Sequence, residues 1–134
     1  MANDCIFCAI ADRTAQATVV EADDHTIAFL DVNPATRGHA LVIPRAHFRN
    51  LYDVPEEDLT RTVLMARRLA VRMKDKLGAD GVNIINSCEA AAWQTVLHFH
   101  VHVIPRYEGD PLKLPWTPTP VSSEELARVA EVLR

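Results

Sequence analysis

The sequence predicts an α+β fold, a roughly five-stranded antiparallel sheet carrying one long helix and a short C-terminal helix. Three features predict it. Five short β-branched or apolar segments are separated by turn signals, the stretch Pro55–Leu77 repeats its apolar residues at helical spacing, and a capping-box pattern opens a last helix. Strands in a meander with one long helix fit a sheet with helices packed on it.

After Cys5–Asp12, a short helical or irregular segment, Thr18–Glu21 and Thr26–Leu30 read as strands joined through Ala22-Asp23-Asp24. Asn33-Pro34 and Arg37-Gly38 mark turns. His39–Ile43 is apolar and β-branched and stops at Pro44. The long helix has Pro55 in its first turn, followed by Glu56, Glu57 and Asp58 at the positive end of the dipole. Leu59, Val63, Ala66, Leu69, Met73 and Leu77 form its apolar row, and Lys74, Lys76 and Gly78 mark its end. Val82–Asn86 and Val96–Ile104 complete the strands. Asp110–Trp116 is proline-rich and reads as an extended surface segment. Ser122-x-x-Glu125 then opens the final helix through Leu126, Val129 and Leu133.

The bulk numbers bound the function. A chain of 134 residues fits one domain over 1–134, and 49 % apolar with 24 % charged residues is an ordinary globular balance. A net charge of −4 gives no basic field toward nucleic acid or an anionic membrane, so a phosphate ligand must be held by local groups. No apolar run approaches the roughly 20 residues that span a bilayer, and Met1-Ala2-Asn3-Asp4 carries no basic stretch leading into an apolar one. A cytoplasmic location is expected. Three cysteines, two of them in Cys5-x-x-Cys8, argue against a disulfide framework and for metal binding or redox chemistry.

Three histidines alternate in Leu97-His98-Phe99-His100-Val101-His102-Val103-Ile104. On a strand His98, His100 and His102 share one face and Leu97, Phe99, Val101 and Val103 the other. Same-face neighbours lie about 6.6 Å apart and the outer pair about 13 Å apart, at roughly 3.3 Å per residue. With metal–imidazole bonds of about 2.0–2.1 Å, two of the three can share an ion but not all three. A relay of imidazoles uses all of them, since a neutral imidazole can attack while its second nitrogen is oriented by a neighbour.

At these residues the chain resembles the histidine triad (HIT) family, whose signature is His-x-His-x-His followed by two apolar residues. The resemblance extends to Phe29-Leu30-Asp31-Val32-Asn33-Pro34, Gly38–Pro44, Asn86 and Gln94-Thr95-Val96, and Cys5-Ile6-Phe7-Cys8 looks like its bacterial, Hint-like branch. It implies that His100 attacks an α-phosphorus and forms a nucleotidyl-histidine that water then hydrolyses. It also implies that His102 donates to a phosphate oxygen and assists the leaving group, and that His39 completes the network around His98, His100 and His102. Gln94 and Thr95 would touch the phosphate, with Asn86 close to it. Asp31 would accept from the ribose hydroxyls, and Phe7, Ile10, Phe29 and Val32 would wall the base.

The resemblance further implies a structural zinc on Cys5, Cys8, His47 and His98, and a homodimer that joins two sheets. The expected ligand is a purine nucleotide conjugate, most plainly an adenosine phosphoramidate, and nucleic acid and membranes are not expected partners. A dinucleoside polyphosphate hydrolase, or a nucleotide-binding regulator with vestigial catalysis, are the rival readings. A zinc-binding structural protein would leave His100 and His102 idle. The chain departs from its relatives at Cys88 and Trp93, where many carry glycine, and its Asn86–His98 interval is one residue longer. Arg45 and Arg106, after the two Ile-Pro turns, read as solvated strand ends.

Overall fold

Alternation within the strands sorts the side chains onto two faces of one sheet, and each face acquires its own apolar layer. The structure, a computed structural model, describes residues 4–134, so Met1, Ala2 and Asn3, part of the segment read above for a leader, lie outside the described residues. Its elements are α1 (Ile6–Ala11), β1 (Val19–Ala22), β2 (Thr26–Leu30), β3 (Ala40–Pro44), α2 (Glu56–Leu77), β4 (Gly81–Ile85), β5 (Val101–Arg106) and α3 (Ser123–Leu133). The strands form an antiparallel sheet in the order β1-β2-β3-β5-β4. This is the α+β architecture read from the sequence.

On one face Ala28, Ala40, Val42, Phe99, Val101 and Val103 pack against Met65, Ala66, Leu69 and Met73 of α2. On the other, Ile27, Phe29, Leu41 and Ile43 pack against Phe7, Ile10 and Ala11 of α1. Phe29 pairs with Leu41 and Leu41 with His102, so a row of apolar side chains on the α1 face ends at a histidine.

Several expected boundaries shift. Pro55 is the N-cap of α2 rather than a residue of its first turn, and Gly78 closes the helix in left-handed backbone at φ 68°. Val63 does not join the buried row. It points outward, and Thr62 and Met65 are buried instead. Burial of Thr62 is tolerated because its hydroxyl donates to the Asp58 carbonyl one turn back. The last strand begins at Val101, not Val96, because residues 96–98 bend. It continues through Pro105 to Arg106, since beyond Val103 it pairs only with β4 and needs no donor on the β3 side. Helix α3 starts at its Ser122 cap as expected, and none of its residues is buried. Among the described residues no helix is long and apolar enough to cross a membrane.

Candidate active site

The α1 face carries the chemistry. Between α1, the turn after β2 and the segment before β5 lies a cleft of about 490 Å³, lined by Phe7, Ile10, Phe29, Asp31, Val32, Thr95, His100 and His102 among others. Phe7 stands edge-on to both Phe29 and His100, with ring centroids 5.5 and 5.0 Å away. The alternation of the histidines survives although the strand begins late, because Phe99, Val101 and Val103 fill the α2 core and turn His100 and His102 the other way.

Hydrogen bonds fix the proton on each ring. His100 Nδ1 lies 2.7 Å from the His98 carbonyl, which can only accept, so this nitrogen carries the hydrogen and Nε2 keeps its lone pair. The backbone N–H of Ala35 donates to His39 Nδ1 at 2.9 Å, so the neutral His39 ring carries its proton on Nε2. That proton is donated to His102 Nδ1, 2.9 Å away, which leaves His102 with its own N–H on Nε2. The site therefore pairs an unprotonated ring nitrogen on His100 with an N–H donor on His102, their ring centroids 5.1 Å apart.

Burial keeps these imidazoles neutral. Desolvation lowers the pKa of His39 and His100, and lowers that of His102 to about 4, where the neighbouring His100 and His39 would further oppose a positive charge. Asp31 lies 3.5 Å from His39 Nε2, and its other oxygen accepts from the Asn33 N–H at 2.8 Å in a turn that shapes the cleft rim. Asp31, His39 and His102 are close enough to hold an ion. The Ala35 N–H opposes it, because a metal on His39 Nε2 would force the ring proton onto Nδ1, against another donor.

A second cluster lies behind His100. One ligand atom from each of Cys5, Cys8, His47 and His98 falls within 4.8 Å of all the others. The Sγ atoms of Cys5 and Cys8 lie 3.4 and 3.5 Å from His98 Nδ1, and Cys8 Sγ lies 3.2 Å from His47 Nδ1. A tetrahedral zinc with bonds of about 2.3 Å to sulfur and 2.0–2.1 Å to nitrogen has sulfur–nitrogen edges of about 3.5 Å, so this donor set fits it. His98 Nε2 donates to the Pro44 carbonyl at 2.8 Å, which leaves Nδ1 free to ligate. Without a cation, burial and the neighbouring Cys5 push the Cys8 thiol up to about 11, a state that a bound divalent ion reverses.

Of the residues singled out from the sequence, Asn86 and Gln94 do not line the cleft. Asn86 Nδ2 donates to the His100 carbonyl at 2.9 Å. Gln94 is buried, accepts from the Glu89 N–H at 2.7 Å and donates to the Arg49 and Val96 carbonyls. Both brace the chain that carries the site. Arg45 holds the Asp23 and Ala11 carbonyls, and Arg106 holds Asp110 and Asn83, so neither is merely a solvated strand end. Gln16, Asn33 and Leu41 line the cleft but were not singled out. Leu41 is brought to the cleft by its register opposite His102, which only the fold reveals, and Gln16 sits in an irregular loop with no pattern to mark it.

Comparison with known proteins places this geometry. The model of the HIT domain matches residues 12–109. An uncharacterised HIT-like protein of Methanocaldococcus jannaschii is 43 % identical over 106 residues, which cover 79 % of this chain and 81 % of that protein. A solved zinc-bound histidine triad family protein of Mycobacterium smegmatis superposes with a TM-score of 0.81 at 36 % identity, covering 98 % of this chain and 99 % of that one. A histidine triad nucleotide-binding protein of Candida albicans superposes at 0.84 with 27 % identity, covering 97 % and 94 %.

Proposed function

This chain belongs to the HIT-domain family, and on that premise we propose that it hydrolyses nucleoside 5′-monophosphate conjugates at the α-phosphate, purine nucleoside phosphoramidates foremost, through a nucleotidyl-His100 intermediate. The observation that carries the proposal is the His100 ring, which lines a cleft large enough for a nucleotide and whose Nδ1–H is held by the His98 carbonyl, leaving Nε2 bare.

In this reading His100 Nε2 attacks the α-phosphorus as the bond to the leaving amine breaks. The positive charge that develops on the ring is delocalised toward Nδ1–H and the His98 carbonyl. His102 Nε2–H, oriented by His39, donates to a phosphate oxygen and assists departure of the amine. Water then attacks phosphorus and gives up a proton that replaces the one carried off by the amine, the P–N bond to His100 breaks and the monophosphate leaves. Covalent catalysis thus divides one hard displacement into two easier ones. Asp31 at the rim suits a sugar diol, because a carboxylate would repel the phosphate. Phe7, Ile10, Phe29 and Val32 would wall the base, and Thr95 would reach the phosphate.

Cys5, Cys8, His47 and His98 would hold a zinc ion. Four protein donors close its coordination shell and leave no position for substrate, which makes its role structural. Strand β4 leaves one edge of the sheet unpaired and exposes Ile84 and Ile85, which supports a homodimer joining two sheets. A cytoplasmic location follows from the reduced cysteines this reading requires.

The test is intact-protein mass after brief incubation with an adenosine phosphoramidate, quenched without acid. The wild type is expected to carry an adenylyl adduct and to release AMP, and His100→Ala to do neither. Undiminished AMP release by His100→Ala would refute the mechanism.

A further inference from the structure

The nucleophile is held by a peptide group that the sheet itself does not hold. The ladder between β3 and β5 begins at Val42 and Val101, and residues 96–98 bend away from strand geometry. The peptide linking His98 to Phe99 nevertheless carries the oxygen that fixes the proton of His100. Its N–H end is gripped by the Phe48 carbonyl at 2.6 Å. Phe48 follows His47, and His98 supplies the carbonyl end. Two of the four residues of the Cys2His2 cluster therefore bracket this one peptide, from its own side chain and from the neighbour of its acceptor.

We infer that the cluster of Cys5, Cys8, His47 and His98 is a positioning device for the nucleophile: filled, it locks the His98–Phe99 peptide and so aims His100 Nε2. This rests on the reading of His100 given above. The His98 ring is completely buried and is already tied at Nε2 to the Pro44 carbonyl, so engagement of Nδ1 with the two cysteines leaves it no freedom to rotate. His47 is exposed, and among the described residues its side chain hydrogen-bonds to Cys8 alone. A bound ion therefore adds a tie between this segment and the His98 ring that its neighbours Arg45, Arg49 and Asn50, each bonded elsewhere, do not supply. Outer-shell partners of a metal site are ordinarily described as orienting the ligands. Here the ligands orient a group beyond them. His98 is in this sense a positioning residue, not a catalytic one.

The 134-residue chain loaded with zinc is to be compared with the chelator-stripped protein and with His47→Ala, which removes the exposed ligand and its edge contact with the His98 ring while leaving the Pro44 tie of that ring in place. Two readouts are needed. In imidazole-labelled protein the His100 Nδ1–H proton should give a sharp, slowly exchanging NMR resonance when zinc is bound, and should broaden or vanish when it is removed. The single-turnover rate of nucleotidyl-His100 formation should fall about 10–100-fold on removal, the range found when groups around a metal site are lost, with AMP affinity unchanged. Re-added zinc should restore both in the wild type and not in His47→Ala. Met73→Ala, in the α2 core, serves as a control that loses stability while keeping resonance and rate. The inference is overturned if folded, metal-free protein keeps the resonance and the rate, or if Met73→Ala loses both to the same degree. Should the loaded protein form no adduct at all, the proposed reaction fails, while the resonance comparison still decides whether the cluster positions His100.

Discussion

Glu89 and Trp93, in the loop that precedes the histidines, stand in left-handed backbone at φ 71° and φ 76°. Glu89 is compensated there: its carboxylate takes a bidentate pair from Arg49 at 2.9 and 3.0 Å and a bond from Asn50, which together hold its pKa down at about 2. Among the described residues the Trp93 indole has no hydrogen-bond partner, and the side chain is 63 % exposed. The sequence already marked this position as a departure from the family pattern, in which many members are expected to carry glycine, and the backbone supplies a reason for that expectation. A left-handed residue with a Cβ costs about 1–2 kcal/mol, and glycine returns roughly 0.5–1 kcal/mol of that through its freer unfolded chain. Trp93→Gly is therefore expected to stabilise the fold by roughly 0.5–1 kcal/mol, read as a higher urea midpoint at unchanged slope. A lower midpoint would mean that the indole is packed against something, such as a second copy.

Strand β5 shows what the elements let the sequence reveal. The alternation of His98, His100 and His102 was legible because the opposite residues Phe99, Val101 and Val103 are core, and core residues dictate which way their neighbours face. What could not be read was that the first half of this segment is not strand. That depends on side chains far away in sequence: Gln94 tying Val96 to Arg49, and Asn86 tying the His100 carbonyl to the end of β4. Local propensity favours a strand through residues 96–100, and these tertiary bonds override it. The Cys2His2 cluster was reachable only through the family pattern, since its four ligands come from three separate segments. For Asn86 the structure and the family pattern lead to different experiments. If Asn86 braces the chain, Asn86→Ala frees a carbonyl next to the nucleophile. It should then cost about 1 kcal/mol of stability and lower kcat with little change in KM. A raised KM at unchanged melting temperature would instead place the amide on the substrate.

The whole molecule buries the imidazoles of its cleft on the α1 face of the sheet, and this couples the site to stability across the mildly acidic range. Desolvation lowers the pKa of His39, and lowers that of His102 to about 4, so the native protein keeps this pair neutral while the unfolded chain takes up a proton on each near pH 6.5. Below that value the unfolded state binds more protons, and each proton of difference removes about 1.4 kcal/mol of stability per pH unit. The contribution of a neutral pair is therefore complete above about pH 6.5. It declines as the pH falls toward 4, where His102 begins to protonate in the folded protein as well. Carboxylates do not account for this window: Glu21 and Asp23 are held below their ordinary values by Arg68, Arg72 and backbone donors, and what they contribute is lost only at lower pH. Melting temperature should accordingly drop between pH 7 and pH 5 in the wild type. His102→Gln, which keeps a polar side chain and cannot titrate, should make that drop shallower, while the buried His39, His98 and His100 keep the rest of it. An equal slope in His102→Gln would show that the linkage lies elsewhere, and that the His39–His102 pair is not kept neutral by burial.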